Sequence, residues 1–162
     1  MTRPAPTPEP LDTPEDYDLT DLGENHWPLD EVFRRIDEAR SWWIVSVRPD
    51  GRPHAAPVWG LARELRPIFS SGPEATKSRN LEANPGIVLH LESGDQVVIV
   101  EGRVEVIGYD DLPEGYDDAY NTKYDVEIDF TDPGFRFFEV IPTKVMAWDE
   151  GDFVATAARW RW

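Results

Sequence analysis

The chain has 162 residues, of which 40% are apolar and seven are Trp, and it carries a formal net charge of −16. That length suits a single domain with a core of its own. The absence of cysteine excludes disulfides, thiolate metal sites and thiol catalysis. No apolar run reaches the roughly 18 residues of a membrane-crossing helix, and no basic-then-apolar leader opens the sequence, so a cytoplasmic protein is expected.

The charge is unevenly spread. Residues 1–26 hold seven acids against Arg3, and residues 108–134 hold nine against Lys123. Residues 48–79 hold six bases against three acids. The whole chain should therefore repel nucleic acid and anionic membrane, while one window attracts a small anion. Taken singly, each of those bases reads as solvated surface.

In chain order, residues 1–26 place Pro4, Pro6, Pro8, Pro10 and Pro14 among acids, which reads as a flexible tail ahead of a domain at 27–162. Tyr17, Leu19, Leu22 and Trp27 give the end of that tail a means of docking. Leu29, Val32, Phe33 and Ile36 recur at helical spacing, with Asp30 and Glu31 in the first turn, so Leu29 to Arg40 is expected as an amphipathic helix. Trp42 to Val47 reads as a buried strand, and Pro49-Asp50-Gly51-Arg52 as the turn after it. His54 to Leu61 and Arg66 to Ser71 follow as strands, then a short helix from Glu74 to Ala83, stopped by Asn84-Pro85. Ile87 to Leu91 and Gln96 to Ile107 are two more strands, with Gly102 marking a bulge or a close backbone approach. The acidic stretch Asp110 to Tyr124 reads as a helix with Leu112, Tyr116, Ala119, Tyr120 and Tyr124 roughly on one face. Phe135 to Ile141 and Thr143 to Trp148 read as a closing pair of strands around Pro142. Six or seven mostly antiparallel strands with two or three short helices predict a mainly β fold, a small barrel.

The residues that carry chemistry gather between Asp50 and Pro85. Ser70, Ser71 and Gly72 close a strand, and Thr76, Lys77, Ser78 and Arg79 form the first turn of the next helix. A helix N-terminus offers free N–H groups and a partial positive charge, which suits a phosphate. Lysine there is unfavourable for the helix itself, and a bound phosphate would reverse that sign; a Lys77 pointing into water is the other reading. Asn80, one turn on, can bond either a loop or a ligand. In His54-Ala55-Ala56-Pro57-Val58-Trp59, Pro57 suits an edge or a bulge, and the small alanines leave room for a flat ring against the backbone. Trp59 reads as core packing, with ligand stacking as the other reading. The three His form no metal motif, no metal ligand set is expected, and no nucleophile, Walker or dinucleotide signature is present. Catalytic residues are not assigned by the sequence.

These residues resemble the pyridoxamine-phosphate-oxidase-like family of flavin-binding split β-barrels. The resemblance is carried by Asp50-Gly51-Arg52-Pro53-His54, Pro57-Val58-Trp59, Lys77-Ser78-Arg79-Asn80-Leu81 with Asn84-Pro85, Val98 to Gly102, and the terminal Arg159-Trp160-Arg161-Trp162. It is most similar to the branch using the deazaflavin coenzyme F-420, where Lys-x-Arg-Asn-Leu and an Arg-Trp-Arg-aromatic ending recur. The resemblance implies a six-stranded antiparallel split barrel, homodimeric, with its cofactor in a groove at the dimer interface. It implies that Lys77 binds the cofactor phosphate with Ser70 and Ser71, that Thr76, Arg79 and Asn80 lie in the same segment, and that Pro57, Val58 and Trp59 line the ring. Gln96, Arg159 and Trp160 are further carry-overs, given across the interface.

Two departures bear on the ligand. Where the oxidase proper has Arg immediately before its Lys, this chain has Thr76, and the oxidase's Arg-containing substrate signature is not matched. Both count against flavin mononucleotide (FMN) and pyridoxamine phosphate. The expected function is an oxidoreductase moving a hydride from reduced coenzyme F-420 to an unsaturated or quinone-like small molecule. The alternatives are an FMN-dependent oxidoreductase on the same fold, and a flavin, deazaflavin or haem binding or storage protein without turnover.

Overall fold

The computed structural model describes residues 4–17 and 19–162. Its strands are β1 Trp42–Val47, β2 Pro53–Val58, β3 Gly60–Arg63, β4 Arg66–Ser71, β5 Gly86–His90, β6 Gln96–Ile107, β7 Arg136–Asp149 and β8 Ala158–Arg161. Its helices are α1 Leu29–Glu38, α2 Thr76–Ala83, α3 Tyr116–Tyr124 and the single turn α4 Phe153–Thr156. All strand pairs are antiparallel, in the order β2-β1-β5-β6-β7-β4-β3, with β8 also on β7. The fold is mainly β, a curled antiparallel half-barrel of the split-barrel kind, with eight strands rather than six or seven.

The curl follows from one residue. β2 and β3 are the two edges of the sheet, yet only Trp59 separates them in sequence. The sheet must therefore bend until its edges meet, and Trp59 stands at the seam. The single strand expected from His54 to Leu61 is thus two, because the chain changes edges where the apolar alternation shows no break. Gly60 follows at the tightest point. A Cβ there would lie 2.4 Å from the Ile68 carbonyl oxygen and 2.6 Å from the Trp42 ring.

β7 runs unbroken through Pro142, so the expected closing pair is one long strand on β6. The register slips between Glu101 and Gly102: Gly102 faces Pro142, Glu101 faces Lys144, and Thr143 is the extra residue. A bulge frees Pro142 from supplying a ladder N–H. Gly102 is needed there, since a Cβ would sit 2.3 Å from the Ile141 carbonyl oxygen.

Alternate residues of β1, β5, β6 and the second half of β7 fill the barrel with Trp42, Ile44, Leu89, Val98, Val100 and Val145, joined by Phe69, Leu81 and Trp160. α1 contributes Val32, Phe33 and Ile36 to this core, and the Trp42 indole donates to the Ile36 carbonyl at 2.7 Å. A second apolar cluster lies under α3, where Tyr116, Tyr120 and Tyr124 pack with Leu61, Ile68, Phe130 and Phe137. The spacing of those tyrosines turns them all to one side of the helix, so the acidic segment is anchored from within.

The first residues also depart from a free tail. Glu9 pairs with Arg159 through both backbone groups at 2.8 Å, which covers the outer edge of β8. Leu11 is buried, Leu22 and Trp27 pack on the barrel core, and Tyr17 meets Phe153 edge-on. Two cations of the terminal strand, Arg159 and Arg161, draw this acidic segment onto β8.

Candidate functional site

At the seam the barrel does not close, and an open groove of about 440 Å³ remains between the end of β2, the end of β4 and the start of α2. Its lining is Pro57, Val58 and Trp59 from the seam, Ser70, Ser71 and Gly72 from β4, and Ala75 and Lys77 from α2. Tyr120 and Phe135 complete it from the α3 region. A cavity of this volume holds a small cofactor or ligand.

One end of the groove is cationic. α2 begins after Ala75, whose side chain offers no cap, so its leading N–H groups receive no side-chain acceptor. The turn before it is fixed by Gly72, whose carbonyl accepts from the Ala75 N–H at 3.1 Å and from the Ser78 hydroxyl at 2.7 Å. Lys77 lines the groove and has no carboxylate within ion-pair distance among the described residues. Its charge reaches His54, whose pKa is lowered first by burial and then by Arg48 and Lys77. His54 Nδ1 is itself buried without a hydrogen-bond partner among the described residues.

The other end is flat and aromatic. Trp59 stacks on Tyr124 with ring centroids 4.5 Å apart and planes 3° from parallel, and Arg40 lies 5.3 Å from its ring centre. Trp59 as a whole remains 37% exposed. It serves core packing through Tyr124 and lines the groove as well. Tyr124 is locked in turn: its hydroxyl accepts from the Gly60 N–H at 2.8 Å and donates to the Gly60 carbonyl at 2.9 Å. Lys123 ties the same point to α1, donating to the carbonyls of Gly60 at 2.9 Å and Asp37 at 2.6 Å. Burial pulls its ammonium down to about 8.

Six of the sequence-assigned residues thus converge: Lys77, Ser70, Ser71, Pro57, Val58 and Trp59. Six others do not line this groove. Thr76 opens α2 beside it, and Arg79 points outward to Glu74 at 3.8 Å. Asn80 is buried and donates to the Ser46 hydroxyl at 3.1 Å, so it pins α2 to β1. Gln96 accepts from Arg35 at 2.8 Å at the far end of β6. Arg159 is committed to Glu9 and Asp12. Trp160 is the clear correction. Successive residues of β8 face opposite sides, and this one points into the barrel core at 1% exposure, beyond reach of a ligand. In the other direction, the sequence did not single out Tyr120 or Phe135. In sequence Tyr120 reads only as part of the apolar face of a helix, and Phe135 only as the start of a strand; the tyrosine spacing is the signal that this face is buried.

A curled antiparallel sheet left open at its seam is the architecture of a split barrel. The chain belongs to the family of pyridoxamine 5'-phosphate oxidase, whose model matches residues 29–149. Among solved structures it is similar to a conserved hypothetical protein of Mycobacterium tuberculosis, with TM-score 0.65 and 17% identity over 78% of this chain and 88% of that one. An F420 reductase matches with TM-score 0.54 and 23% identity over 69% of this chain and 94% of the other. A pyridoxamine 5'-phosphate oxidase-related, FMN-binding protein of Nostoc punctiforme matches with TM-score 0.51 and 14% identity over 74% and 79%. At these identities the likeness is one of fold. No curated protein matches the chain in sequence.

Proposed function

We propose that the groove binds coenzyme F-420, with FMN as the alternative, and that the chain is an oxidoreductase passing a hydride from the reduced deazaflavin to an unsaturated or quinone-like small molecule. The observation that carries this reading is the meeting of two unlike walls in one cavity: Lys77 at an uncapped helix N-terminus, and Trp59 with Pro57 and Val58 at the seam. A ligand with an anionic group on one side and a flat ring on the other fits both, and either wall alone would fit many ligands.

In this arrangement Lys77, the α2 N–H groups and the hydroxyls of Ser70 and Ser71 hold the phosphate. Pro57, Val58 and Trp59 support the ring from one side and keep water from it. Hydride chemistry is what the cofactor supplies when bound, so the chain needs no triad of its own. Thr76, in the place of the oxidase's Arg, favours the deazaflavin. Both cofactors have spectra of their own, so titrating each into the purified protein and following absorbance and tryptophan emission separates them. Saturable binding of F-420 at micromolar levels, with FMN weaker, is the expected result. Tight binding of FMN alone would move the assignment to the FMN branch, and binding of neither would end it.

The protein acts as a homodimer in this reading. The outer face of the sheet carries the row Trp43, His90, Ile99 and Met146 beside Val45 and Val88, all half-buried, with Val47 39% exposed. A second copy is the occupant such a face fits, because the groove opens next to it at β2. Sedimentation of the purified chain tests this, and a monomer at micromolar concentration would contradict it.

A further inference from the structure

α3 carries three tyrosines at successive turns, and they spend their hydroxyls differently. Tyr116 donates to the Ile68 carbonyl at 3.2 Å, and Tyr124 exchanges hydrogen bonds with Gly60. Both therefore serve to fasten α3 to the two strands beneath it, β4 and β3. Tyr120, between them, takes up no backbone carbonyl among the described residues. Its polar neighbour is the side chain of Ser70, which also lines the groove. Its ring is held from three sides, by Tyr116, by Tyr124 with centroids 4.5 Å apart, and by Phe130 edge-on at 4.9 Å. Such packing fixes where the hydroxyl points and leaves it little freedom to relax elsewhere.

A phenol that gives its proton to no backbone carbonyl retains the capacity to donate it to a ligand. A fixed donor beside a second hydroxyl, on the wall of a cavity, is what an oxygen acceptor on a ligand requires. We infer that Tyr120 is a ligand-contacting residue of the groove, its phenol donating, alongside Ser70, to an oxygen of the bound flavin or deazaflavin. The acidic segment thus supplies a wall of the site, not only a solvated face. This rests on the cofactor reading above and adds to it a contact from a part of the chain that the family motifs do not include. Burial raises the Tyr120 pKa, which keeps the phenol protonated and a donor at neutral pH.

The test uses the full-length protein with FMN and coenzyme F-420 as probes, reading dissociation constants and the visible absorption band of the bound ring. Tyr120→Phe keeps the aromatic packing and removes the hydroxyl alone. It is expected to weaken the tighter-binding probe about tenfold and to shift its bound absorption maximum. Ser70→Ala should act in the same direction. Tyr116→Phe is the control on the same helix, since its hydroxyl bonds the Ile68 backbone and should leave affinity and spectrum as they are. Unchanged affinity and spectrum in Tyr120→Phe would overturn the contact while leaving the cofactor reading intact. Equal weakening by Tyr116→Phe would also overturn it, because it would mark a general loosening of α3. Failure of the unmodified protein to bind either probe would overturn both the contact and the reading on which it rests.

Discussion

The molecule has two places where cations stand ready at the end of the sequence's family motifs, and it treats them in opposite ways. On β8, Arg159 and Arg161 are claimed from within: a single Glu9 carboxylate oxygen accepts from Arg159 at 3.2 Å and from Arg161 at 3.1 and 2.8 Å, and Asp12 adds to Arg159. At α2, Lys77 faces a cavity with no carboxylate beside it among the described residues. Cationic side chains thus do structural duty at one place and remain available to a ligand at the other. A cationic motif becomes a binding site when the rest of the chain leaves its charge uncompensated, and sequence proximity does not reveal that.

The comparison breaks most sharply at Lys77. Lys77→Ala should weaken the tighter-binding cofactor about ten- to a hundredfold, the range of one charge-assisted hydrogen bond, and should leave the melting temperature nearly unchanged. Equal affinity in the variant would remove the phosphate assignment. Arg159→Ala should show the reverse pattern. Its side chain is only 11% exposed and holds the N-terminal segment, so its loss should cost about 1 to 2 kcal/mol of stability with affinity maintained.

The same contacts make that edge sensitive to acid. Arg161, more than Arg159, lowers the Glu9 pKa below 4.5, and Arg159 lowers that of Asp12 below 3.8. Unfolded, these carboxylates bind protons more readily than folded. Their contribution is complete above those ordinary values and is lost as pH falls through the lowered ones. Melting curves through the acid range should show this loss in the unmodified protein and much less of it in a Glu9→Gln, Asp12→Asn double variant. An identical acid profile in both would mean the strap does not hold in solution.

The smallest effect is the most local. Burial, then Arg48 and then Lys77 lower the His54 pKa. An anion bound at α2 offsets the Lys77 charge, so saturating inorganic phosphate should raise the His54 pKa toward its ordinary 6.5 in an NMR titration. No change would place the anion elsewhere.

Much of this was legible beforehand. The strands Trp42–Val47 and Gln96–Ile107 end where the apolar pattern ends, and Leu29 opens α1 as the helical spacing requires. Six groove residues were assigned from helix-terminus chemistry, turn chemistry and family motifs. What was hidden depended on contacts distant in sequence. Nothing local says that the chain changes sheet edges at Trp59, or that Pro142 lies opposite Gly102 at a bulge that makes β7 continuous. The strand Ala158–Arg161 was not among the expected elements, because its partners, Lys144–Ala147 on one side and Glu9 on the other, are set by the fold. Tyr120 was legible as part of a helix face, but its place on the groove wall was not, because the strand it packs against, β4, lies some fifty residues away in sequence.

The central claim is that one groove reads both a phosphate and a flat ring. Its most direct measurement compares FMN with riboflavin, the same ring system without the phosphate, by titration of tryptophan emission at one pH and salt concentration. Emission should fall with both, since the ring meets Trp59 in each case, and FMN should bind at least about tenfold tighter. Equal affinities, or riboflavin binding the tighter, would contradict it.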